Sequence, residues 1–175
     1  MKMKKFFNAK KITLTALLSA LSLLAFMLES LFPPILIPGA KLGLGNIFTF
    51  LALIILGVPH AFITLGVKLI FGAIFSGGVS ALMYSLPSGL VSLSLTALLI
   101  YYTKGKLSVL AISSLSAVVH NAVQLTVYAL ITDISVFYLM PYLALIGMLS
   151  GIMVGLAVFY IIRFLPQRVV ENILS

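Results

Sequence analysis

Six apolar runs separated by short breaks leave this chain almost no choice of solvent. Charged residues make up 8% of its 175 positions and hydrophobic ones 62%, and the mean hydropathy is +1.27. A water-soluble domain needs a polar shell that such a composition cannot supply. The bilayer must take the place of water, and in hydrocarbon only helices or closed barrels satisfy their own backbone. The runs are continuous rather than alternating, which predicts an all-α, polytopic membrane bundle. At roughly 20 residues per span, the length fits six transmembrane helices in one integral membrane domain covering residues 1–175.

The breaks set the expected boundaries. The first run spans about residues 12–31 and follows Lys2, Lys4, Lys5, Lys10 and Lys11. A basic start before an apolar stretch resembles a signal peptide, but the run is long, Glu29 lies at its far end, and more spans follow. It reads as an uncleaved first helix. Pro33, Pro34, Pro38 and Gly39 then break the chain. Two short runs, about 43–57 and 60–75, fit two short spans better than a deep hairpin. The fourth, about 79–102, contains Pro87 and is expected to kink there. The fifth and sixth run over about 107–131 and 138–165, and no internal repeat is evident.

Orientation follows from lysine and arginine. With both termini in the cytoplasm of a cell membrane, six crossings put the N-terminal lysines, Lys104, Lys106, Arg163 and Arg168 inside, and only Lys41 outside. The net charge of +8 is thereby explained by topology, so no nucleic-acid partner is expected.

Polar groups inside apolar runs are costly and mark candidate sites; a lone lysine at a helix centre costs on the order of 3 kcal/mol by insertion scales. His120, Asn121 and Gln124 fall within one arc of the fifth helix and offer several donors and acceptors. Gln124 alone reads equally well as interhelical glue. Lys68 shares a stripe with Thr64 and Gly72; it supplies charge to a ligand, or else only snorkels or forms a structural pair with Glu29. Tyr84 and Ser88 lie one turn apart and face a common direction. His60, at a turn, reads as solvated or capping.

Two stripes of small residues stand out. Ala16 and Ala20 form one face of the first helix, with Ser22, Ala25 and Glu29 roughly opposite. Such a face lets another helix approach closely, within the bundle or from a partner. Gly147, Gly151 and Gly155 form the second, for packing inside the bundle or for self-association.

The missing chemistry narrows function further. Three acidic residues, Glu29, Asp133 and Glu171, cannot build an aspartate-rich magnesium site. There is no cysteine, no zinc-binding His-Glu-x-x-His and no phosphate-binding Gly-rich loop. No metal site, cofactor or catalytic residue is expected, and any ATP-driven step needs a partner.

Glu29-Ser30-Leu31 with Pro33-Pro34, then Pro38-Gly39-Ala40-Lys41-Leu42-Gly43-Leu44-Gly45-Asn46, Leu56-Gly57 and His120-Asn121-x-x-Gln124 together resemble the Gx transporter family, also labelled heptaprenyl diphosphate synthase component I. The likeness runs from about residue 12 to 165. That family is similar to the substrate-binding S components of energy-coupling factor (ECF) transporters, six-helix bundles that bind a micronutrient near the outer surface. The resemblance implies docking on an ECF module, made of a transmembrane T subunit and two ATPases, through Ala16 and Ala20. It also implies that the segment through Lys41 closes over the ligand. The expected binding set is Glu29, Lys41, Asn46, Lys68, Tyr84, His120, Asn121 and Gln124, for a small micronutrient or a precursor related to isoprenoids or quinones. The family's other label implies an alternative, a membrane subunit or scaffold for a prenyl diphosphate synthase.

Overall fold

The structure is a computed structural model that describes residues 8–31, 43–134 and 136–166. Among these residues it is all-helical, with α1 (Ala9–Ser30), α2 (Leu44–Leu56), α3 (Val58–Gly72), a π-helical turn (Ala73–Gly77), α4 (Gly78–Thr103), α5 (Val109–Thr132), a 3-10 turn (Phe137–Leu139) and α6 (Met140–Phe164). Five helical stretches are long and apolar enough to cross a membrane; α2 is apolar but shorter. At 1.5 Å per residue, its 13 residues reach roughly 20 Å, less than the ~30 Å hydrocarbon core.

Local chemistry sets the helix ends. Ser108 accepts a hydrogen bond from the Ala111 N–H at the start of α5, supplying a partner to an end donor. Pro59 and Pro141 sit in the first turns of α3 and α6, where the missing N–H costs nothing. Asp133 ends α5 in the left-handed region with φ 54°. Pro87, by contrast, lies inside α4, and the helix runs on past it. Many hydroxyls donate back to the carbonyl four residues earlier, as Thr64 does to His60 and Thr96 to Ser92. That local bond removes most of the cost of serine and threonine in an apolar helix.

The helices form two groups. α1 packs on α2 and α3, and α5 lies between α4 and α6, while α2 reaches α6 and α3 reaches α4 across the seam. One core cluster, including Leu18, Phe50, Leu65, Leu93, Ile112 and Val158, spans both groups. Leu17, Leu24, Leu130, Phe159 and other large apolar side chains point outward, as lipid-facing positions do.

The glycine stripe of α6 resolves to bundle packing. A Cβ at Gly151 would lie 2.5 Å from the Ser114 Cα, and one at Gly155 would lie 2.8 Å from the Leu110 Cα. The two helices touch backbone to backbone along this line. On α1, Ala16 and Ala20 are exposed while Ser22 and Glu29 are buried, so the small face looks out of the bundle.

His60 corrects its sequence reading. It is 2% exposed, and its Nδ1 lies 2.7 Å from the Thr15 hydroxyl. It is neither solvated nor an end cap; it belongs to a polar line between α1 and α3. Ser19 continues that line by donating to the Thr64 hydroxyl at 3.4 Å.

Candidate functional site

Gly43 and Gly45 explain how α2 begins inside the bundle. Gly43 has φ +79°, a conformation that disfavours side chains. Its N–H donates to the Glu29 carboxylate. At Gly45, a Cβ would stand 2.9 Å from the Ser22 carbonyl oxygen and 3.1 Å from the Lys68 Cδ. Only glycine lets the chain pass so close to α1, and the Gly45 carbonyl there accepts the Ser22 hydroxyl at 2.7 Å. The next residue, Asn46, accepts the Lys68 ammonium on Oδ1.

Asn46 opens onto a cavity of about 70 Å³ at the seam between the two helix groups. α2 contributes Asn46 and Thr49, α4 contributes Ser92 and Thr96, α5 contributes Ser113, Ser116 and His120, and α6 contributes Ser150. Phe50, Leu65, Leu93 and Val154 supply apolar wall. Thr96 donates to the Ser116 hydroxyl at 2.6 Å, and the His120 Nδ1 lies 3.2 Å from the Ser92 hydroxyl. Among the described residues the wall thus carries hydrogen-bonding groups from four helices and no carboxylate. Such a site can hold a small polar group and fix its orientation, with apolar surface beside it.

The expected binding residues separate into those at the cavity and those away from it. Asn46 and His120 line it, and Lys68 stands behind Asn46. Glu29 instead fastens the start of α2. Asn121 turns the other way and donates to the Leu143 carbonyl of α6 at 2.9 Å, so the arc shared by His120 and Asn121 straddles two neighbours. Gln124 is half-buried and outside the lining residues. Tyr84 packs edge-on against Tyr128 with centroids 5.9 Å apart and is also outside them. Lys41 lies outside the described residues.

The hydroxyl wall was missed in the sequence. Its signal was present: Ser113, Ser116 and His120 follow i, i+3, i+7, and Ser92 and Thr96 are one turn apart, each set on one helical face. Scattered serines in apolar runs draw less attention than a lysine or histidine, because their local bonds make them cheap.

The family model described as heptaprenyl diphosphate synthase component I matches residues 18–161. No curated protein and no solved structure matches. The match takes in every residue that lines the cavity, and with them the Lys-Leu-Gly-Leu-Gly-Asn and His-Asn-x-x-Gln stretches; the chain belongs to the heptaprenyl diphosphate synthase component I family.

Proposed function

We propose that the chain is the substrate-binding component of an ATP-driven importer of the ECF type, with both termini in the cytoplasm of a cell membrane. The observation that carries this reading is the hydroxyl-, amide- and imidazole-lined cavity at the seam of two helix groups inside an apolar bundle. Polar groups at that depth are expensive unless they meet each other or a ligand. The outward-looking Ala16 and Ala20 face adds a surface on which a second membrane helix fits closely.

The cavity's size constrains the mechanism. A volume of about 70 Å³ holds a few water molecules, whereas pockets enclosing drug-sized ligands run to about 300–1,000 Å³. A micronutrient-sized molecule therefore enters only if the two helix groups part, or it seats only its polar end here. The π-helical turn Ala73–Gly77 and Gly78, with φ 70°, join the groups and supply a pivot for such parting. His120, Ser92 and Asn46 orient the ligand by hydrogen bonds. The chain acts on no bond of its substrate; the ATPases of the module supply the energy.

Uptake of the substrate in cells with and without the ATPase module tests the reading. Uptake that persists unchanged without the ATPases defeats it. The family's description favours one other reading, a membrane subunit positioning a prenyl diphosphate synthase. Copurification with a soluble synthase, and with no T subunit, selects that alternative.

A further inference from the structure

We propose that Lys68 acts on the cavity through Asn46, fixing the amide so that the site selects ligands presenting an acceptor oxygen: a carbonyl, carboxylate or phosphoryl group. The inference rests on the reading of the cavity as a ligand site. An ammonium can only donate, and in an asparagine side chain only Oδ1 accepts. The Lys68 contact therefore removes the usual ambiguity of the amide and turns Nδ2 the other way. Nδ2 and the Ser150 hydroxyl both lie beside Gly43, where a Cβ would stand 3.3 Å from the one and 3.6 Å from the other. Asn46 and Ser150 are both cavity walls. A fixed N–H donor beside a hydroxyl favours an oxygen acceptor over an ammonium, which can only donate. Asn46 is the contact residue; Lys68 is a positioning residue, and its own contact with the ligand is not required.

Asn46→Asp is the discriminating variant. It keeps an acceptor for Lys68, now as an ion pair, and replaces the donor with an oxygen in the same volume. The probes are formate, dimethylformamide and methylammonium, each read by saturation-transfer NMR on the full chain in nanodiscs. The wild type is expected to take formate and dimethylformamide and to ignore methylammonium. In Asn46→Asp the formate signal should fall at least tenfold and methylammonium should gain one. Formate alone assigns the ligand oxygen to an anion; both acceptors assign it to carbonyl-type oxygens in general. Lys68→Arg should retain the acceptor preference and Lys68→Met should lose it, which keeps the proposal open to test where Asn46→Asp does not fold. Binding of methylammonium by the wild type, no probe bound at all, or formate binding unchanged in Asn46→Asp or Lys68→Met would each overturn it. Uptake independent of ATPases alongside an intact acceptor preference removes the importer reading alone; ATPase-dependent uptake with no such preference removes this one alone.

Discussion

Thr15 and His60, 45 positions apart in sequence, meet at 2.7 Å between α1 and α3. Ser19 and Thr64 repeat the same offset one turn further on, so the two helices run parallel in fixed register. Thr15 also donates to the Lys11 carbonyl at 2.7 Å, which leaves its oxygen lone pairs for an imidazole N–H. Double-mutant cycles between polar groups of membrane helices average about 0.6 kcal/mol and reach about 1.7. A cycle with Thr15→Val and His60→Leu, followed by reversible unfolding in bicelles, should give a coupling of that size and favourable sign. A coupling of zero would mean that the pair does not hold the register.

Gly45→Ala should be far more damaging than an alanine usually is in a helix. The new methyl would lie 2.9 Å from a backbone oxygen of α1, which cannot swing aside. Overpacking of this kind typically costs about 1–3 kcal/mol, and here it displaces Asn46 as well. The expected outcome is a lower thermal midpoint together with weakened ligand binding. Gly66→Ala is the internal control: a Cβ there meets nothing within 4 Å, and mid-helix alanine gains about 0.5–1 kcal/mol over glycine. Thermal melts of the two variants should move in opposite directions.

How much of this was legible beforehand differs between fold and site. The membrane bundle and its six helices followed from the apolar runs, since lipid permits so few architectures. The short α2 was visible in its length, but its start within the bundle was not, because that depends on Gly45 meeting Ser22. Lys68 and His120 were found by their cost in lipid, yet the same criterion overlooked Ser92, Thr96, Ser116 and Ser150, whose polar atoms cost little. Asn121 was grouped with His120 by angle alone. A helix between two neighbours divides such an arc, and the Leu143 carbonyl took the amide. His60 was misjudged because its partner, Thr15, sits on a helix distant in sequence.

Asn121→Ala and His120→Ala should therefore separate. The first frees a carbonyl of α6 and should lower stability by about 1 kcal/mol with ligand affinity kept. The second removes the Ser92 contact on α4 together with a cavity wall, so it should cost stability of similar size and reduce affinity as well. Melting curves and ligand titrations on the two proteins check the division; equal loss of affinity in both would place Asn121 in the site after all.

Ala16 and Ala20 give the sharpest test of partnership. Both are exposed on α1, while the neighbouring Thr15, Ser19 and Ser22 are buried, so larger side chains at 16 and 20 project away from the core. Substitutions at exposed positions usually fall within about 0.5 kcal/mol of neutral. Ala16→Leu with Ala20→Leu should accordingly leave folding and ligand binding intact. The added bulk would hold a second helix off by the width of the new side chains, and close backbone approach is what small-residue faces provide. Copurification with a T subunit should fall by an order of magnitude or more, and uptake with it. Full retention of both by the double variant would show that the importer, if one forms, docks on another face.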